Sequence, residues 1–211
     1  MIRAPNAGLR RAALAGLTAA WLAGCGSLIP GADAPPPDLY TLTPKNTFDE
    51  TLPQVSNQLL VEVPIAAEGL NSHRIALSHG LLSLDYYANA RWTERAPLLV
   101  QTLLVESFEN TGRIVSVARD GTDLRADYVL KTELREFQAQ YDDESSPPTV
   151  NVRLIAKLIK IPERSIVASE SFDAMTPASG TSMIEVVGAF DEALGKVLKR
   201  LVAWSMPLIA G

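Results

Sequence analysis

Apolar and polar positions alternate most cleanly in two stretches of the chain. Ala126, Tyr128, Leu130, Thr132 and Leu134 are interleaved with Asp127, Lys131, Glu133 and Arg135, and Val150, Val152, Leu154, Ala156 and Leu158 with Asn151, Arg153 and Lys157. A period of two puts the two sets on opposite faces of a strand, so both stretches predict half-buried strands. Pro162-Glu163-Arg164-Ser165 supplies turn chemistry before Ile166 to Phe172, which predicts a hairpin. Shorter extended segments are expected at Leu39–Leu42, Leu59–Ile65, Arg74–Ser78 and Leu82–Tyr87, the last two around the turn residues His79-Gly80. Pro64 offers no backbone donor, which suits the end of an edge strand.

Two segments follow the helical period instead. Leu99, Val100, Leu103, Leu104 and Phe108 recur at spacings of three and four, with Thr93 as a candidate cap, Pro97 in the first turn and Asn110-Thr111-Gly112 as the stop. Ser182-Met183-Ile184-Glu185 has the Ser-x-x-Glu form of a capping box. Behind it Val187, Phe190, Leu194, Val197, Leu198, Leu201 and Trp204 trace one face, with Asp191 expected on the solvent side. Acids (Glu185, Asp191, Glu192) come early and bases (Lys196, Lys199, Arg200) late, as the helix dipole favours. The predicted class is α/β: a mixed sheet, largely antiparallel in its later half, covered by two long helices whose apolar stripes it must bury.

The first forty residues obey neither period. Arg3, Arg10 and Arg11 precede an apolar run from Ala12 to Ala23, then small residues and the single cysteine, Cys25. That is the order of a secretory signal peptide, and the apolar run is well short of the ~20 residues needed to cross a bilayer. Leu22-Ala23-Gly24-Cys25 matches the bacterial lipobox, in which the cysteine thiol takes a diacylglyceryl group and the chain is cut before it. Cys25 is therefore the expected lipid attachment site, residues 1–24 the signal peptide, and 25–37 a lipidated stalk stiffened by Pro35-Pro36-Pro37. Two or three acyl chains anchor stably where one does not. Residue 26 is Gly and not the Asp that retains lipoproteins in the inner membrane of enterobacteria-like species, which favours the periplasmic face of the outer membrane. With one cysteine, an intramolecular disulfide is excluded.

Charge narrows the partners. Three of the 19 basic residues and none of the 24 acidic ones precede Cys25, leaving 16 against 24, a formal −8. No basic cluster with interleaved aromatics appears, so nucleic acid is not an expected partner. Catalytic sets are missing too. No Gly-x-Ser-x-Gly elbow, phosphate loop or dinucleotide fingerprint occurs. His73 and His79 are the only histidines and lack the company of a metal site. Asp142-Asp143-Glu144 runs into Ser145-Ser146-Pro147-Pro148 without the alternating spacing of a calcium loop. Met183 and Trp204 sit on the helical stripe and read as core. No cofactor or metal is expected, and the chain reads as a non-enzyme.

The order of these features resembles a known family. Lipobox, Pro-rich stalk, Tyr40-Thr41-Leu42, Arg74-Ile75, Tyr86-Tyr87, Arg91-Trp92 ahead of a helix, Ala126-Asp127-Tyr128-Val129-Leu130 and a closing helix ending in Trp204 are similar to the ABC-type transport auxiliary lipoproteins, including the paraquat-inducible protein C group. The resemblance spans about 38–205, and a domain over 38–207 is expected. It implies a three-layer α/β fold like anticodon-binding and TolB amino-terminal domains. It also implies a non-enzymatic, outer-membrane-side partner of a system with a periplasmic mammalian-cell-entry-domain protein, an inner-membrane ABC permease and an ATPase, moving lipids or other apolar molecules. A homo-oligomer is expected as the repeated landing surface for such a partner. The competing expectation is an envelope-integrity or assembly lipoprotein without a transport role; a lipid-anchored hydrolase lacks its nucleophile and base.

Overall fold

The structure, a computed structural model, describes residues 35–48, 51–80, 82–120, 125–143, 145–161 and 163–211. The expected signal peptide, Cys25 and most of the expected stalk lie outside the described residues. The folded unit is Pro37–Gly211. Its elements in order are β1 (Asp38–Tyr40), β2 (Val55–Val61), β3 (Ile65–Ala66), β4 (Arg74–His79), β5 (Asp85–Trp92), α1 (Ala96–Glu109), β6 (Ile114–Arg119), β7 (Tyr128–Tyr141), β8 (Thr149–Lys160), β9 (Ser165–Pro177) and α2 (Met183–Ala210).

The sheet is organised by β7. On one side it carries the antiparallel meander β7–β8–β9, with Leu130 opposite Leu158, Leu134 opposite Leu154 and Phe137 opposite Val152. On its other side three short strands, β2, β3 and β4, lie parallel to it one after another: Leu59 beside Tyr128, Ile65 beside Glu133 and His79 beside Tyr141. They amount to one long strand interrupted twice. From β2 the sheet continues to β6, and from β4 through β5 to β1. The long ladders are antiparallel and the short ones, β4–β5 aside, parallel, so the sheet is mixed as expected.

Three local expectations are corrected. The strand expected at Leu59–Ile65 ends at Val61, and it is an interior strand paired with both β7 and β6. Pro64 sits in the break before β3, where no ladder bond asks for its missing donor. The helix expected from Thr93 begins at Ala96, with Arg95 as its N-cap and Pro97 in the first turn, because the Thr93 N–H is taken by the Tyr40 carbonyl at 2.9 Å. The strand β6 was not expected at all.

Both helices pack on one face. Val55, Leu59 and Val61, alternate residues of β2, are buried on the side where α1, α2 and β2 all meet, and the helices touch each other. The described unit is thus a mixed sheet covered by two long helices, the α/β class expected. The stripe of α2 is the expected one: Phe190, Leu194, Val197, Leu198 and Leu201 are fully buried. Its start is fixed by Glu185, whose carboxylate accepts from the Ser182 N–H at 3.1 Å and from the Ser182 hydroxyl. Those bonds hold the Glu185 carboxyl below its ordinary value. At the centre of the core Trp92, Phe137 and Phe190 bring β5, β7 and α2 together, ring centroids 5.1–5.6 Å apart. Tilted and edge-on rings like these add about 0.5–1.5 kcal/mol per pair beyond area burial.

The opposite face of the sheet is polar and carries Lys131–Glu62 at 3.0 Å and Arg153–Glu136 at 3.1 Å. These pairs are about half exposed and stabilise little.

Candidate functional site

Each residue with chemical potential has a definite place. Cys25 lies outside the described residues. His73 and His79 stand at opposite ends of β4, so the structure does not bring them together. His73 lends its carbonyl to the Trp92 N–H at 2.7 Å, while the His79 ring stacks on Tyr141 with centroids 5.4 Å apart. Among the described residues no group of three or more His, Cys, Asp or Glu is placed to hold a metal. Asp143 accepts from the Ser145 backbone N–H at 3.1 Å, and that bond lowers its pKa. It closes its own turn; Glu144 lies outside the described residues. Met183 packs half-buried against the core, and Trp204 meets Phe172 edge-on at 5.5 Å. Both are structural.

Three features were invisible in the linear pattern. The first is an aromatic cluster at one end of β4 and β7. The hydroxyls of Tyr87 and Tyr141 lie 2.9 Å apart. Burial, then the bond to Tyr141, pushes the Tyr87 hydroxyl far above its ordinary range, so it stays protonated. A neutral phenol of this kind packs and shares a hydrogen bond; it supplies neither base nor nucleophile. The only signal in the sequence was the pair Tyr86-Tyr87, and nothing there tied it to residue 141.

The second is a cavity of about 560 Å³ between the polar face and the β4–β5 loop, walled by Leu70 and Leu84 and floored by Ser78, Gln138, Gln140 and Asn151. The Asn151 amide donates to Gln140 Oε1 at 2.9 Å. The third is an open groove of about 870 Å³ between α2 and residues 43–46, bounded by Gly188, Gly195, Lys196 and Lys199. Here Asp191, expected on the free solvent side, accepts from the Thr43 N–H at 2.6 Å and from the Thr43 hydroxyl at 2.9 Å. It ties the chain after β1 to α2. None of the three assembles a nucleophile with a base.

A mixed sheet with two long helices packed on one face defines an α/β domain class. Comparison with known proteins makes the class specific. The family model of the ABC-type transport auxiliary lipoprotein component matches residues 40–202, and the chain belongs to that family. A crystal structure of a Xanthomonas campestris protein of the family model DUF330 is 34% identical, with a TM-score of 0.76 over 81% of this chain and 95% of that one. A crystal structure of another uncharacterized protein shares the fold at 14% identity, TM-score 0.62, covering 80% of this chain and 97% of that one. An uncharacterized protein of Bradyrhizobium diazoefficiens is 27% identical over 175 residues, 77% of this chain. The chain spans about half the length of that curated relative, 45%.

Proposed function

We propose that the protein is a non-enzymatic lipoprotein, attached through lipid on Cys25 to the periplasmic face of the outer membrane. It acts there as the auxiliary component of a mammalian-cell-entry-type ABC system that moves lipids or other apolar molecules between membranes. The observation that carries this reading is the family match, which runs through nearly all of the folded unit from residue 40 to residue 202. The lipobox and the basic–apolar–small order before Cys25 support the anchor, and Gly26 supports the outer membrane. Its proposed partners are the periplasmic mammalian-cell-entry-domain protein and, through it, the permease and ATPase.

A homo-oligomer belongs to the same reading. Among the described residues the thirteen of β9 pair with β8 alone, and Ile166, Val167 and Met175 are exposed along them. A strand of that length with one ladder is a template for pairing with another chain.

Two measurements test the proposal. Cys25→Ser should abolish incorporation of a palmitate analogue; a substituted protein that still takes up label removes the anchor. The lipidated protein, solubilised in detergent, should co-purify with the periplasmic region of a cognate mammalian-cell-entry-domain protein. Failure to bind, with light scattering that shows a strict monomer, would leave an envelope protein without a transport role.

A further inference from the structure

Among the described residues β1, β6 and β9 each pair with one strand, and they differ in length: three, six and thirteen residues. β9 also lacks the chemistry that blunts an edge. From Ser165 to Thr176 it contains no proline, lysine or arginine. The direction of its hydrogen-bonding groups follows from the ladder. The Ala178 N–H donates to the Pro148 carbonyl at 2.8 Å, and the register runs unbroken from Thr149 opposite Pro177 to Leu158 opposite Ala168. Bonded and non-bonded pairs alternate in an antiparallel ladder, so Ala168, Glu170, Phe172, Ala174 and Thr176 direct their backbone groups to β8. Ser169, Ser171, Asp173 and Met175 direct theirs outward. The Arg200 guanidinium on α2 reaches one of these outward groups and donates to the Asp173 carbonyl.

The side chains are arranged symmetrically about Ser171. Ser171 lies opposite Ile155, Met175 opposite Asn151 and, because of the bulge at Leu158/Ile159, Ile166 opposite Ile159. Ile166 and Met175 therefore stand four rungs to either side of Ser171, on the face away from the helices. They are 60% and 66% exposed. On the helix face Phe172 is buried and Glu170 is exposed.

We infer that β9 pairs antiparallel with β9 of a second copy of this chain, on a two-fold axis through Ser171. This rests on the homo-oligomer proposed above and names its contact. Ser171 then meets its own counterpart, and Ser169 of each copy meets Asp173 of the other, each pair exchanging two backbone bonds. Ile166 of each copy covers Met175 of the other, the self-complementarity that a two-fold contact requires. Charge agrees with the same register. Glu170 of one copy falls opposite Phe172 of the other, on the helix face, beside the Arg200 that already reaches over the edge. A Glu170–Arg200 pair thus forms on each side of the axis. Moving the axis to Glu170 sets that carboxylate against itself, which is unfavourable. Moving it to Phe172 sets Ile166 against Pro177 and Met175 against Ser169, and the apolar match is lost.

The test uses the full lipidated protein in detergent, whose Cys25 sulfur, once acylated, forms no disulfide. Ser171→Cys places two thiols at the axis, where opposed Cα atoms are ~5.5 Å apart, within the span of a disulfide. Mild oxidation should give a covalent dimer. Val115→Cys, exposed on β6, should not, and it also reports any dimer formed through unacylated Cys25. In sedimentation experiments Arg200→Glu should weaken association about tenfold or more, and adding Glu170→Arg should restore it. A double variant that melts with the parent and stays weakened overturns the register. Where Arg200→Glu itself lowers the melt, the cross-link at 171 decides. An oligomer that cross-links no faster through residue 171 than through residue 115 overturns this contact and leaves the homo-oligomer standing. A strict monomer overturns both; protection of its amides at 169–173 from hydrogen exchange would assign the edge to another segment of the same chain.

Discussion

Thr132 and Asp191 show how a side chain's cost depends on what it meets. Thr132 lies on the helix-facing side of β7 opposite Ala156, only 4% exposed, and its hydroxyl is buried without a hydrogen-bond partner. Burying an unpaired hydroxyl costs about 1–3 kcal/mol. Valine has nearly the same shape and suits a strand. Thr132→Val should therefore leave the fold unchanged and raise stability by about 0.5–1 kcal/mol, read as a higher urea midpoint at unchanged slope; a lower midpoint would mean that the hydroxyl has a role. Asp191 is the converse. By its helical position it faces solvent and would be worth nothing, yet it accepts two bonds from Thr43. Asp191→Ala should cost about 1–2 kcal/mol, while Asp191→Asn, which keeps an acceptor, should recover part of that in the same melt. The partner is 148 positions away in the chain, and no local period could show it. The proposed lipid attachment at Cys25 rests on the opposite kind of signal, a pattern of contiguous residues. The Tyr87–Tyr141 pair and the β4–β5 loop depend on which strands become neighbours.

Elements were legible where one face of a long segment meets the core. β7, β8 and α2 each present many alternate or helically spaced positions to the same apolar layer, so their pattern is repeated often enough to be read, while β9 is marked by the turn before it. β6 fails that test. Ile114, Val117 and Ala118 are all half-buried and Val115 is exposed, so its two faces differ too little to alternate. For β2 and β4 the extended segments are legible, at Leu59–Ile65 and Arg74–Ser78, but their pairing is not, since each is a short piece laid along β7. Parallel pairing leaves no hairpin turn as a marker. The helical stripe of α2 makes a sharp prediction. Leu194 is fully buried on the face that meets β8 and β9. Leu194→Asp buries an unpaired charge and should cost at least ~3 kcal/mol, whereas Glu192→Ala, on the groove side of α2 in a half-exposed ion pair with Lys196, should shift the midpoint by no more than ~0.5 kcal/mol. Equal shifts in paired thermal melts would place the core on the wrong side of α2.

On the scale of the whole molecule the two ends of the folded unit are unequal, and the difference can be measured. At its start Pro37 precedes a strand of only three residues, and Pro35 and Pro36 are exposed. Contacts begin in earnest at Tyr40, whose carbonyl accepts from Thr93, and at Leu42, which is 4% exposed. At the other end the helix stays packed almost to its last residue. Ile209 is fully buried, and its carbonyl accepts from the Asn57 side chain at 2.6 Å, which joins the final turn of α2 to β2. A domain ending at residue 207, the boundary expected from the resemblance, would omit that turn. Protein beginning at Pro37 should therefore melt within the equivalent of ~0.5 kcal/mol of protein beginning at Gly26, because the residues removed hold no core side chain among those described. Ending the chain at Pro207 removes a buried isoleucine and leaves the Asn57 amide without its acceptor. Loss of an isoleucine side chain alone costs about 2–5 kcal/mol, so this truncation should lower the melting temperature by roughly ten degrees or more in a domain of this size. Ile209→Ala in the full-length folded unit separates the two contributions: if it reproduces most of the loss, packing dominates. A protein ending at Pro207 that melts with the parent would show that the last turn of α2 is dispensable, and that the folded unit closes at residue 207.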